Sequence, residues 1–147
     1  MIDARDRNIK QINGACHCGG VRFHAELSDG LKTARRCTCS LCRMRGAVVV
    51  SAEVGGVTIL DGEDLLSEYR FNTGTARHYF CSRCGIYTHH QRRSNTSQFG
   101  VNVACLEGVG PFDFPEVPVS DGVNHPSDNG GKSRLAGILR YFPNDDS

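Results

Sequence analysis

"GACHCGGVRFHAEL", residues 14–27, places Cys16 and Cys18 one residue apart, follows them with two glycines and runs straight into an alternating segment. Val21, Phe23, Ala25 and Leu27 share one face of that segment and Arg22, His24 and Glu26 the other, the two-residue period of a half-buried β-strand. Residues i and i+2 of an extended chain lie about 6.6 Å apart, near the upper limit for disulfide Cα atoms. Two thiols so spaced converge on one ligand only where the chain bends, and Gly19 and Gly20 give the bend its positive-φ freedom. The stretch therefore reads as a metal-ligand turn feeding a strand.

Outward from it the β character recurs. "AVVVSAEV" (47–54), "GVTIL" (56–60), "LSEYRFN" (66–72), "RHYFC" (77–81) and "QFGVNVACL" (98–106) are rich in β-branched or aromatic residues. Asp29-Gly30, Asp61-Gly62 and Asn72-Thr73-Gly74 supply turns between them. Pro111, Pro115, Pro118 and Pro126 mark a stretch from about 108 to 132 that is expected to be irregular. "SRLAGILRYFP" (133–143) fits a final strand or a short helix, with Gly137 weighing against the helix, and "NDDS" (144–147) is expected to fray. With no repeat, low-complexity tract or linker, the pattern predicts one mainly β, largely antiparallel domain over 1–147. Its core covers about 12–108 and an irregular C-terminal extension about 109–147.

A chain of 147 residues buries roughly 68–70% of its unfolded surface, so one compact core is expected. Hydrophobic residues make up 39%, Trp is absent, and Gly (17) and Cys (8) are plentiful, so the apolar core needs help from cross-links or metals. The N-terminal "MIDARDRNIKQING" has no apolar h-region, and runs such as "AVVV" are far too short to cross a bilayer. The expectation is a soluble, cytoplasmic protein with no membrane partner, in which cysteines serve as metal ligands sooner than as disulfides. The formal charge of +1 counts thiols as neutral. Seven ligating thiolates and two divalent ions bring it to about −2, which gives no support to nucleic-acid binding.

Seven of the eight cysteines cluster: Cys16 and Cys18; Cys37, Cys39 and Cys42 in "ARRCTCSLCRMRG" (34–46); and Cys81 and Cys84 in "FCSRCG" (80–85). Tetrahedral zinc takes four sulfurs at about 2.3 Å. The simplest partition is one complete four-thiolate site and one three-thiolate site. Spacing alone does not fix which pairs join. The local triplet shares an ion without a distant segment, which leaves Cys16, Cys18, Cys81 and Cys84 for the closed site. A rival zinc ribbon from Cys39/Cys42 and Cys81/Cys84 would separate its pairs far beyond the usual interval of about 15–20 residues and strand three cysteines.

Taken in order, "GACHCGGVRF", "CTCSLCR", "FCSRCG" and "VNVACLEG" resemble the signatures of the glutathione-dependent formaldehyde-activating enzyme family, which includes centromere-protein-V-like members. The likeness spans roughly residues 12–108, and its ordered motifs are far more specific than a lone C-x-x-C. It implies a zinc-containing β-tent (Mss4-like) fold with two Zn²⁺ per chain. One is structural, on Cys16, Cys18, Cys81 and Cys84; the second, accessible, is on Cys37, Cys39 and Cys42. It also implies a small-molecule thiol and aldehyde as partners, glutathione and formaldehyde in the family reaction.

An open fourth position separates catalytic from structural zinc. It can lower the pKa of bound water, polarise a carbonyl or hold an incoming thiol as thiolate. Three thiolates make zinc a weak Lewis acid, so substrate positioning is the expected role. Arginine supplies 14 of the 17 basic residues, and Arg35, Arg36, Arg43 and Arg45 flank the triplet. They read either as a carboxylate clamp or as charges that offset the thiolates, with one or two at most touching substrate. His17 reads as a turn residue. Of the adjacent His89 and His90, one at most faces a given site. Cys105 reads as a buried thiol, and Tyr79, Phe80 and Tyr87 as core or sheet-face residues.

Three functions share this framework: a carbon–sulfur lyase or synthase acting on a thiol–aldehyde adduct, a glutathione or aldehyde carrier without turnover, and a zinc module binding protein or nucleic acid. The last would be favoured by basic tails and aromatics interleaved with Lys/Arg, which the chain lacks. The open triplet points to the first.

Overall fold

In the computed structural model, which describes residues 7–124 and 134–144, the chain is mainly β. Strands β1 (Gln11–Ala15) and β2 (Arg22–Leu31) form a hairpin across the Cys16–Gly20 bend, with Ile12 opposite Ala25 and Gly14 opposite Phe23. The two-residue β3 (Arg36–Cys37) leads into helix α1 (Ser40–Arg45). Then follow β4 (Val49–Asp61), β5 (Leu66–Tyr69), β6 (Arg77–Cys81), β7 (Tyr87–Gln91), β8 (Gln98–Asn102), β9 (Glu116–Ser120) and β10 (Leu135–Arg140). Seven strands make one antiparallel sheet in the order β1-β2-β4-β8-β7-β6-β5. The other three make a small sheet, β10-β9-β3, in which β3 and β9 run parallel. This is the expected β-tent architecture. Among the described residues no helix is long and apolar enough to cross a membrane.

The alternation read in "VRFHAEL" is realised: Phe23, Ala25 and Leu27 are buried while Arg22 and Glu26 face out. They pack against Val50 and Ala52 of β4 and Val101 of β8. "AVVVSAEV" and "GVTIL", read as two strands, are one long strand. Ala25 pairs with Val57 but Leu27 with Ala52, so residues 53–56 bulge between them. Gly55, at φ +94°, carries the backbone through the bulge.

The stretch from about 108 to 132 is not irregular throughout. It contains a short 3₁₀ turn at Pro111–Asp113 and β9, and Val109, Phe114 and Val117 close the core from below. Pro118 misled the reading because proline is rare inside sheets. The Ser120 carbonyl accepts from Thr38 N–H on the β3 side. Pro118, two residues earlier, presents its backbone to that same side, beyond the end of β3, where no ladder bond is lost. "SRLAGILRYFP" contains β10, the strand alternative. Pro126 and residues 125–132 of the stretch, and all of "NDDS" but Asn144, lie outside the described residues.

Candidate metal centres

The first cluster is assembled from two turns far apart in sequence. Cys16 and Cys18 sit on the β1–β2 bend, where Cys16 N–H bonds Val21 O and Val21 N–H donates to Cys16 Sγ at 3.3 Å. Cys81 ends β6 and Cys84 follows in a tight turn closed by Gly85 N–H to Cys81 O at 2.7 Å. In a flat sheet β2 and β6 would be four strand spacings apart, about 19 Å. Yet Cys18 Sγ lies 3.8 Å from Cys81 Sγ, so the sheet curls until its two flanks meet.

All four sulfurs lie within 4.8 Å of one another. A tetrahedral ion with bonds of about 2.3 Å sets its sulfurs about 3.8 Å apart. The Cys16–Cys18 and Cys18–Cys81 separations of 3.6 and 3.8 Å fit that cage. The Gly20 N–H and then the Arg83 guanidinium pull the Cys18 thiol down to about 6, toward the thiolate that a metal requires. Val21, Leu65 and Leu66 pack against the buried Cys16 and Cys81, while Cys18 stays exposed.

The second cluster is local. Cys37 ends β3, Cys39 caps α1 by accepting Cys42 N–H on its sulfur at 3.3 Å, and Cys42 lies in the first turn. The three sulfurs fall within 4.8 Å of one another, and among the described residues the group ends at three. Crowding divides the charge unequally: Cys39 is held well below the usual thiol range, first by the Cys37 thiol and then by Cys42, while Cys37 and Cys42 are pushed up. A bound cation in place of the shared protons fits this donor set. Gly122, after β9, presses on the triplet, since a Cβ there would overlap Cys37 Sγ and approach Cys39 N to 2.7 Å. Its N–H donates to Thr38 Oγ1 at 3.0 Å.

The triplet forms one wall of a cavity of about 510 Å³, within the size range of small-molecule sites. Facing it are Phe71, His78 and His90 from the β5–β7 region. Arg45, at the end of α1, ties the walls together. Its guanidinium lies 3.6 Å over the Tyr87 ring, donates to His78 Nδ1 at 3.1 Å and reaches Cys42 Sγ at 3.6 Å. Its Nε is buried without a hydrogen-bond partner among the described residues.

Because His78 Nδ1 accepts from Arg45, the proton of this neutral imidazole sits on Nε2. Burial, then Arg45, holds His78 down to about 4, and burial first holds His90 well below 6.5, so both are neutral. The two rings stack with centroids 5.1 Å apart.

The sequence-predicted residues are thus brought into two groups, Cys16/Cys18/Cys81/Cys84 and Cys37/Cys39/Cys42, each able to hold a metal ion. His17 lies exposed in a turn. Of the adjacent histidines only His90 lines the cavity, while His89 is buried between Tyr79 and Phe99. Tyr87 is buried, as expected of a core residue. Cys105 is buried too, and burial pushes its thiol up to about 12; it sits in a 3₁₀ turn, however, and not in a strand. Arg35, one of the four flanking arginines, is anchored to Thr33 O and Ser51 Oγ. Sequence reasoning missed His78, Arg92, Arg134 and Gly122, which lie 41 to 97 residues from Cys37 and are brought to the cavity by the pairing of β6 with β7 and of β9 with β3 and β10. Helix α1 was missed as well, although Arg43 and Arg45 in its last turn and Gly46 after it are a helix-end signature.

Fold and centres define a mainly β protein built around two cysteine clusters, one of four sulfurs and one of three that opens to a cavity. The chain belongs to the glutathione-dependent formaldehyde-activating enzyme family, whose model matches residues 11–116. A Halomonas elongata protein, provisionally named a glutathione-dependent formaldehyde-activating enzyme, is 32% identical over 82 residues, 50% of this chain. The match spans about half the length of that relative, 51%. A Rhodobacter sphaeroides protein of known crystal structure is 53% identical. That likeness covers 74% of this chain and 99% of the other, with a TM-score of 0.72.

Proposed function

We propose that the protein is a zinc-dependent carbon–sulfur lyase of the synthase type, joining a thiol to an aldehyde and splitting the adduct in reverse, with glutathione and formaldehyde or a related pair as substrates. The observation that carries this reading is the three-sulfur cluster opening onto a cavity large enough for both reactants. Cys37, Cys39 and Cys42 would hold a Zn²⁺ ion that, when bound, supplies a place to keep a thiol as thiolate. Cys16, Cys18, Cys81 and Cys84 would hold a second, structural one.

The chemistry is short. One C–S bond forms, the π pair of the C=O moves to oxygen, and that oxygen takes up one proton in exchange for the one the thiol gave up. Arg45 keeps Cys42 in place and holds His78 with its Nε2–H as a hydrogen-bond donor for an oxygen gaining charge. Neutral His78 and His90 add no positive charge of their own beside the arginines. Phe71, Gly122 and Val123 add to the cavity's lining.

The uncatalysed addition is fast, so the test is exchange at equilibrium. With substoichiometric protein, exchange-resolved NMR should show faster interconversion of glutathione plus formaldehyde and their hemithioacetal, with the equilibrium unmoved. Cys42→Ser should lose the acceleration. Equal rates in wild type, variant and buffer would exclude this pair, and stoichiometric glutathione binding without faster exchange would identify a carrier.

A further inference from the structure

The cavity beside the triplet is built for more negative charge, and less positive charge, than a zwitterionic peptide thiol carries. Among the described residues seven arginines line it, contributed by β3 and the residue before it, α1, the β7–β8 turn and the residue before β10, against one carboxylate, Asp121. Three thiolates around a divalent cation offset only one of those charges.

Six of the seven fall into two sets. Arg35, Arg45 and Arg92 are pinned by uncharged oxygen and nitrogen atoms, or by sulfur and an aromatic face: Thr33 O and Ser51 Oγ; His78 Nδ1, Cys42 Sγ and Tyr87; Gln98 Oε1 and Ser94 Oγ. Arg36 and Arg43 make no side-chain hydrogen bond or ion pair among the described residues, and Arg43 is exposed. Arg134 stands exposed on the far rim. A pinned inner set, with Arg36 and Arg43 unpaired and Arg134 exposed beside Asp121, is an arrangement suited to an anion with several oxygen acceptors, because each guanidinium offers a planar fork of donors.

Among the described residues the cavity offers an amine one carboxylate. Asp121 already accepts from Val123 N–H, Asn124 N–H and Asn124 Nδ2, and Arg134 lies near enough to act on its charge. An ammonium group entering the cavity would meet arginines and a carboxylate already taken up by its own turn.

We propose that the thiol handled at the triplet is a polyanion without an amine, a thiol bearing two carboxylates or a phosphate ester, recognised through Arg36, Arg43 and Arg134. This rests on the thiol–aldehyde reading of the triplet and narrows its substrate class. The reaction is unchanged: the thiol sulfur adds to the aldehyde carbon and the thiol proton ends on oxygen.

The test uses the zinc-loaded full chain and thiols of graded charge: mercaptosuccinate, 3-mercaptopropionate, 2-mercaptoethanol, cysteamine and glutathione. Calorimetry measures binding, and NMR exchange with formaldehyde measures turnover. Mercaptosuccinate should bind at least about tenfold more tightly than glutathione or 2-mercaptoethanol, as two charge-assisted forks would give, and its affinity should fall steeply with salt. Succinate, which lacks the thiol, should compete, and if inorganic phosphate competes better, the second anion is a phosphate ester. Arg43→Gln and Arg134→Gln, both at exposed positions, should raise the mercaptosuccinate KM about tenfold and leave that for 2-mercaptoethanol unchanged, with Arg43→Lys intermediate. Equal binding of all five thiols, or preference for glutathione, would overturn the proposal while leaving the lyase reading standing. Preferential binding of mercaptosuccinate without faster exchange would do the reverse, and failure to bind mercaptosuccinate would overturn the proposal whatever the turnover.

Discussion

A single methyl group added at Gly122 should weaken the second metal and spare the first. Gly122 is not among the glycines with positive φ, so Gly122→Ala carries no backbone penalty and its effect is steric. The new Cβ would overlap Cys37 Sγ and lie 2.7 Å from Cys39 N and 2.8 Å from Cys39 Cβ. The last two belong to the backbone or are bonded to it, so relief requires either rotating the Cys37 sulfur away or moving the segment after β9 outward. Moving it stretches the bonds from Gly122 N–H to Thr38 Oγ1 and from Thr38 N–H to Ser120 O, of 3.0 and 3.1 Å. Overpacking of this kind costs about 1–3 kcal/mol. Without metal the Cys37 side chain can turn away; with metal it is fixed, so the cost falls on the bound state. Taking about 2 kcal/mol, the second-site affinity should drop roughly 30-fold, at 1.36 kcal/mol per decade. Chelator competition resolving two metals per chain measures this, with Gly137→Ala as control, since a Cβ there meets nothing within 4 Å. Unchanged second-site affinity, or parallel weakening of both sites, would refute the packing of this segment on the triplet.

Elemental analysis in reducing buffer should give two zinc ions per chain; one ion, or iron, would contradict the four-plus-three reading of the clusters. Cys81→Ser should abolish stable folding, because structural zinc contributes about 10–16 kcal/mol in small domains, whereas Cys39→Ser should shift Tm little and lose the second metal. Equal Tm losses in both variants would make the triplet structural. Burial holds His89 down to about 4 against an ordinary 6.5. Between those values the unfolded chain binds a proton that the folded chain does not, so stability rises with pH through that window. His89 alone should account for a loss of about 2 kcal/mol on going from about pH 7.5 to 5, His78 and His90 adding to it, and denaturation of His89→Gln should show a correspondingly flatter pH dependence. Phe23→Ala should cost about 3–5 kcal/mol in urea unfolding, since Phe23 is fully buried against β4 and β8; a loss below 1 kcal/mol would contradict its place in the core.

What the sequence disclosed was local. The alternation from Val21 to Leu27, the strand "RHYFC" and the cysteine clusters are all readable within a few residues, because side-chain period and ligand spacing are short-range properties. The partition into a four-sulfur and a three-sulfur group also followed, from counting and proximity. The cavity did not. His78 and Arg92 reach it only because β6 and β7 pair in register, with His78 opposite His90. Gly122 reaches it because β9 runs beside β3, an association of two residue pairs that no periodicity announces. Helix α1 escaped because its cap is a cysteine sulfur, a role the usual capping rules give to serine, threonine, aspartate or asparagine. Proline hid β9 for the reason that proline hides most strands.

The curled sheet would impose an order on how the two cysteine clusters take up metal ions. Cys37, Cys39 and Cys42 leave the ribosome within six residues of one another, so a nascent chain presents the triplet complete almost as soon as it appears. Cys18 must wait for Cys81, 63 residues later, and for every strand between them to be made. Until then the hairpin carries a half-built site and an unpaired sheet edge, and an ion captured by two thiolates alone is easily surrendered. With zinc in both clusters, as proposed, zinc shortage would strike newly made chains before finished ones, through exposed strand edges that seek partners in other chains.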